Sequence, residues 1–180
     1  FTKQILEGLV HLNNQGYGHS NLKTSNIMIE INGVVKLSDF FTISKKNIIQ
    51  KPENQIIMAN NVCYIAPEII IHEKKTLTSD IWSLGCILLE IMTGVKPWEE
   101  NYNNIEFILQ ELKNGKIPKI PENLSIPAIN FLKKVLIIND EMRPSASDLI
   151  NDPFLNEIPE NEDELGGKKT EIDQVKTIKN

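Results

Sequence analysis

The apolar positions of the opening stretch, Ile5, Leu6, Leu9, Val10 and Leu12, recur at helical spacing and end before Gly16, which predicts an amphipathic helix from Phe1 to Asn13. The period then changes. Ile27 to Ile31 and Val34 to Leu37 are β-branched runs on either side of Asn32-Gly33, a dipeptide that readily supplies the positive φ angles of a type I′ turn, so a β-hairpin is expected. Residues 41 to 61 are polar and rich in Asn and Lys around a short Ile-rich stretch, with no sustained period, and read as a mobile segment. From Thr78 to about Thr93 the chain is apolar on nearly every side and is closed by Gly94 and Pro97; such a helix has to lie inside a core. Further helices are predicted over about 103–114, Pro127 to Ile137 and Ser145 to Ile150, the last with Ser145 and Asp148 spaced as a capping pair.

The pattern gives out after Leu155. Residues 156–180 are rich in Glu, Asp, Lys and Gly with little to bury, and read as a charged, disordered tail behind a domain spanning 1–155. With 180 residues and 41% hydrophobic content the chain can bury one ordinary core, and its composition excludes collagen, coiled coil and wholesale disorder. A formal net charge of -5 argues against a nucleic-acid partner, which usually leaves a basic footprint. Cys63 and Cys86 have no ligand-like spacing and fit a reducing compartment better than a disulfide framework. No apolar run approaches the roughly 18 residues of a membrane span, and no signal peptide opens the chain. The expected location is the cytoplasm, with the nucleus as the other choice, and no membrane partner is expected.

The chemistry-bearing residues fall in three places. His19-Ser20-Asn21-Leu22-Lys23-Thr24-Ser25-Asn26 comes first, Leu37-Ser38-Asp39-Phe40-Phe41 follows, and Ala66-Pro67-Glu68 comes third. In order and separation they resemble the H-R-D-L-K-x-x-N, D-F-G and A-P-E motifs of the protein kinase family. Phe1-Thr2-Lys3-Gln4-Ile5-Leu6-Glu7-Gly8-Leu9, Ser79-Asp80-Ile81-Trp82-Ser83-Leu84-Gly85-Cys86 and Thr93-Gly94-Val95-Lys96-Pro97-Trp98 look like the Ser/Thr kinases of the STE or MAP kinase kinase kinase type. The resemblance spans residues 1–155 and covers only the larger, C-terminal lobe. It implies a mainly α fold, a helical bundle with a short β-hairpin beside the catalytic loop, with the smaller N-terminal lobe absent from these residues. No Gly-rich phosphate loop and no V-A-I-K-like strand occurs here. Gly16-Tyr17-Gly18 does not replace them, because Asn21 stands where a third glycine belongs and a helix, not a strand, precedes it.

What the resemblance implies for individual residues is mixed. Asn21 occupies the position of the catalytic aspartate, which in a kinase accepts or orients the proton of the substrate hydroxyl. A carboxamide is neutral near pH 7 and presents donors where a negative acceptor is wanted, so either catalysis is impaired or Asn21 only ties the loop together. Ser20 replaces the arginine that pairs with a phosphorylated activation loop in many kinases. Lys23 matches the lysine that contacts the transferring phosphoryl group, and Asn26 and Asp39 match the residues that hold Mg²⁺. Met28 matches the position beneath the adenine, although a strand methionine is commonly core packing. Phe41 stands in place of the D-F-G glycine, Phe40 matches its packing phenylalanine, and His19 reads as a packed structural residue. Asn61 replaces the threonine that normally ties the substrate-docking loop to the catalytic Asp and Lys. Glu68 and Arg143 match a buried ion pair of the family, and Asp80 the aspartate that fixes the catalytic loop. Two functions follow: an impaired, pseudokinase-like module that binds protein partners such as other kinases or scaffolds, or an active Ser/Thr kinase that uses ATP and Mg²⁺ on a protein substrate once a small lobe completes it. For the chain alone no cofactor is expected.

Overall fold

At the centre of the molecule lies the helix that the sequence makes apolar on every side. The computed structural model describes residues 1–39, 43–44 and 62–156. Its α-helices are α1 (Thr2–Asn14), α2 (Pro67–His72), α3 (Ser79–Thr93), α4 (Ile105–Lys113), α5 (Ile126–Val135) and α6 (Ala146–Leu149). Two small antiparallel ribbons accompany them, β1 (Tyr17–Gly18) with β4 (Ile43–Ser44) and β2 (Ile27–Ile29) with β3 (Val35–Leu37). Every residue of α3 from Ser79 to Leu89 is buried, and the helix packs against α5 and the single turn Val62–Tyr64. Trp82, Leu84, Ile87, Phe131 and Leu132 are wholly inaccessible, and each such side chain contributes roughly 1.5–3 kcal/mol by leaving water. The mainly α architecture with one hairpin agrees with the fold class expected from the sequence.

Helix α1 buries Ile5, Leu6 and Leu9 and uses that stripe to hold both α6 and β3. Gln4 fastens the hairpin from outside the core: its Oε1 accepts the Val35 N–H at 2.8 Å and its Nε2 donates to the Gly33 carbonyl at 3.4 Å. The hairpin itself corrects a sequence expectation. Only Gly33 has a positive φ, +83°, whereas a type I′ turn requires Asn32 to have one as well. The Gly33 N–H donates to the Glu30 carbonyl, the Glu30 N–H to the Val34 carbonyl, and the Val34 N–H to Asn32 Oδ1 at 3.0 Å. The connection is therefore a three-residue loop with glycine in the left-handed position, and the Asn32 side chain replaces a main-chain acceptor. The strands are correspondingly shorter than the apolar runs.

The other elements follow their local chemistry. Helix α6 has a capping box, with the Asp148 N–H donating to Ser145 Oγ and the Ser145 N–H to Asp148 Oδ2. Helix α4 starts on Asn104, whose Oδ1 accepts the Phe107 N–H. Helix α2 has no counterpart among the sequence expectations, because six residues starting at Pro67 are too few to show a period. The tail expected from residue 156 lies, apart from Asn156, outside the described residues. So do Phe40, Phe41, Asn61 and most of the segment expected to be mobile.

Close helix contact sets one stability prediction. A Cβ on Gly85 of α3 would lie 2.8 Å from both Leu136 Cδ2 and Val135 Cγ2 at the end of α5. Substituting Gly85→Ala is expected to cost about 1–3 kcal/mol through overpacking, read as a lowered urea midpoint at unchanged slope. An unchanged midpoint would show that α5 retreats freely.

Candidate functional site

The loop from His19 to Asn26 has little regular structure, so its shape depends on side chains that reach it from elsewhere. Asp80, in the first turn of α3, is 2% exposed and accepts the His19 N–H at 2.7 Å and the Ser20 N–H at 2.8 Å. Burial raises the Asp80 carboxyl to about 6, against the pull of those two amides and of Lys75. Ser20 holds a left-handed φ of 62°, a conformation costing a non-glycine residue roughly 1–2 kcal/mol, and the paired amides are what maintain it. His19 is fully buried, and desolvation lowers its pKa, so it is a packed neutral ring whose Nδ1 accepts the Asn21 N–H at 3.3 Å.

Four polar residues close a ring at the open end of the hairpin. Asn26 Nδ2 donates to the Asn21 carbonyl at 2.8 Å, and Asn21 Nδ2 donates to the Asp39 carbonyl at 3.0 Å. The Ser38 N–H returns to the Asn26 carbonyl at 2.9 Å. Asn21, Asn26 and Asp39 are thereby brought together, although Asn21 and Asp39 stand 18 positions apart in the chain. Asp39 has a left-handed φ of 54° and its side chain is exposed. With its Nδ2 engaged, Asn26 presents its Oδ1 to Ser25 Oγ at 3.5 Å.

Lys23 and Met28 sit differently. Lys23 lies at the start of the single turn Thr24–Asn26, is half-buried, and its carbonyl accepts the Asn26 N–H. Met28 is 58% exposed on β2, so the alternative of core packing is overturned; opposite it on β3 is Lys36. Ile29, Ile31 and Val34 of the same hairpin are also exposed.

Beneath the loop, the Glu68–Arg143 pair is formed as expected. Arg143 Nη1 and Nη2 donate to Glu68 Oε1 and Oε2, both at 2.9 Å, and both side chains are almost completely buried. Ser79 Oγ adds a third donor to Glu68 at 2.6 Å. Sequence reasoning gave no role to Ser79, nor to a cluster in which Tyr64 OH donates to Glu90 Oε2 and accepts from Lys96 Nζ at 3.4 Å. Those partners lie 26 and 32 residues from Tyr64, and no spacing rule connects them.

A helical lobe that hangs such a loop on a buried helix-start aspartate, and braces it on a buried Glu–Arg pair, has the architecture of a kinase-type large lobe. The family model described as the protein kinase domain matches residues 1–155, and the chain belongs to the protein kinase family, on its Ser/Thr side. Among curated proteins it is 37% identical over 162 residues to mitogen-activated protein kinase kinase kinase 9 of Arabidopsis thaliana, covering 86% of this chain and 20% of that protein. It is 35% identical over 155 residues to mitogen-activated protein kinase kinase kinase 3 of the same plant, covering 86% of this chain and 24% of that one. It is 33% identical over 160 residues to MAP kinase kinase kinase mkh1 of Schizosaccharomyces pombe, covering 86% and 14%. The chain thus spans less than a quarter of the length of each of these relatives.

Proposed function

We propose that this chain is the large lobe of a degenerate Ser/Thr kinase, working as a binding or regulatory module for protein partners, other kinases or scaffolds among them. The observation that carries the reading is the Asn21 side chain. Its Nδ2 donates to the Asp39 carbonyl, a bond that an ionised carboxylate, having only acceptors, has no hydrogen to make. The residue at the base position is therefore a loop tie, and the general-base contribution of about 10²–10⁴-fold is lost.

The remaining polar groups fit a divalent cation. Asn26 Oδ1 and the Asp39 carboxylate are hard oxygen donors, one neutral and one charged, and a Mg²⁺ ion held by them would need nucleotide phosphates and water to complete its shell. Among the described residues no group of three or more His, Cys, Asp or Glu side chains offers another metal site. When bound, the ion would neutralise phosphate charge. Lys23, on the same loop, would meet a phosphoryl group as a point charge. These retained groups favour a second reading, an ATP-dependent kinase completed by a small lobe. Cytoplasm, with the nucleus as the other choice, is the proposed location; no helix among the described residues is long and apolar enough to cross a membrane.

Phosphoryl transfer from Mg²⁺-ATP by the full-length protein separates the two readings. The native protein is expected at background, and Asn21→Asp is expected to raise transfer by roughly 10²–10⁴-fold, the range of general-base help. Native turnover that Lys23→Ala abolishes would overturn the module reading.

A further inference from the structure

Lys74 and Lys75 are neighbours in the connection from α2 to α3, yet the fold treats their amines in opposite ways. We propose that Lys75 is a site of N-acylation, a half-buried and unpaired amine that reacts with thioesters of the acetyl-CoA class, and that its modification loosens the catalytic-type loop through Asp80.

The main chain is fixed on both sides of Lys75. Glu73 ends α2 with a left-handed φ of 52°, and the Lys74 N–H donates to the Glu68 carbonyl at 3.0 Å. On the other side the Thr76 N–H donates to Ser79 Oγ at 3.0 Å, and Thr76 Oγ1 meets the hydroxyls of Thr78 and Ser79 at 3.0 and 3.1 Å. The side chains then part. Lys74 Nζ lies 3.0 Å from Asp140 Oδ2, an ion pair that occupies its nitrogen and raises its pKa. Lys75 is half-buried, and no carboxylate among the described residues lies within ion-pair distance of it. Burial therefore disfavours its ammonium and lowers its pKa, although the Asp80 carboxylate, at longer range, pulls the other way.

Only the neutral amine has a lone pair to give, and desolvation is what makes a lysine a nucleophile. Lys75 Nζ attacks the thioester carbonyl carbon, a C–N bond forms, the C–S bond breaks, and the proton that the nitrogen sheds ends on the departing thiolate. The product is a neutral amide, so the charge at this position is gone. Burial pushes the Asp80 carboxyl toward its neutral form, and the His19 and Ser20 amides and the Lys75 ammonium oppose that push. Acylation removes one of these opponents. A carboxyl that is protonated for more of the time is a weaker acceptor, and the two amide bonds that hold Ser20 in its left-handed conformation weaken with it. No step here involves Asn21, Asn26 or Asp39, so the inference stands whether or not the loop supports phosphoryl transfer.

Limited acetylation of the full-length protein by acetyl-CoA at mildly alkaline pH, with each lysine scored separately by tandem mass spectrometry, tests this. In the native protein Lys75 is expected to react about five times faster than Lys74, the factor that an exposed ion pair at the upper end of its strength imposes on Lys74. In urea the two neighbours lose their folded surroundings and should react at rates within about twofold of each other. Lys75→Gln, which carries the neutral amide of the product, should lose hydrogen-exchange protection over His19 and Ser20 while keeping it over α5, and Lys75→Arg, which keeps the charge, should lose none. A native rate at Lys75 no greater than that at Lys74, or the same ratio in urea as in the native protein, would overturn the site. Unchanged protection over His19 and Ser20 in Lys75→Gln, or an equal loss in Lys75→Arg, would overturn its link to the loop.

Discussion

Replacing Arg143 by methionine will lower folding stability by about 3–5 kcal/mol, because it leaves the Glu68 carboxylate buried without its partner. The guanidinium is a hub. Besides the two bonds to Glu68, it donates to the carbonyls of Thr78, Ile137 and Ile138, joining the start of α3 to the segment after α5. Methionine fills much of the volume and keeps apolar contact with Trp82, over whose ring the guanidinium now lies at 5.3 Å. Lost packing is therefore a minor part, and stranded polar groups the major part. A double variant, Glu68→Leu/Arg143→Met, should recover at least half of the loss, since no buried charge remains. Urea denaturation of the four proteins of the cycle measures both numbers. A single-variant loss under about 1 kcal/mol would mean that Ser79 Oγ and water satisfy Glu68 unaided.

Long-period features of this fold are legible in the sequence because they repeat. Helix α3 declares itself by being apolar on all sides, and α1 by a stripe of Ile5, Leu6 and Leu9. The Ser145–Asp148 capping box is legible for a different reason, since three residues of spacing define its geometry. Elements too short to repeat are not legible: α2, and the two-residue ribbon of β1 and β4. Part of the site is readable through the family motifs, which bring Asn21, Lys23, Asn26 and Asp39 into one region. What Asn21 does there is not readable. The sequence offers impaired catalysis or a loop tie, and the loop tie shows itself in the approach of Nδ2 to the Asp39 carbonyl. The Met28 environment also escapes the sequence, since a strand pattern does not tell which face lacks a neighbour.

The stability that Asp80 contributes will fall as pH rises through the interval from about 4 to about 6. Burial is the first cause of its raised pKa, and the amides of His19 and Ser20 offset it only in part. A carboxyl that titrates near 3.8 when unfolded and at about 6 when folded keeps its proton in the native state over an interval where the unfolded chain has released it. The native form then binds more protons, so stability declines with rising pH; the contribution is full below about 4 and lost above about 6. Two units correspond to about 3 kcal/mol at most. Other carboxylates titrate in the same range, so the quantity to follow is the difference in unfolding free energy between the native sequence and Asp80→Asn, from about pH 4 to about pH 7. That difference should move against the native sequence by up to about 3 kcal/mol, while the amide acceptor lost in the Asp80→Asn variant gives only a constant offset. A flat difference would show that two short amide bonds repay the desolvation of the carboxylate in full, and the loop would then be held by a charge at no cost to the fold. A falling one means that the protein accepts a destabilised carboxylate at neutral pH because an ionised group is the best acceptor for two adjacent amides, and the left-handed Ser20 between them could not otherwise be maintained.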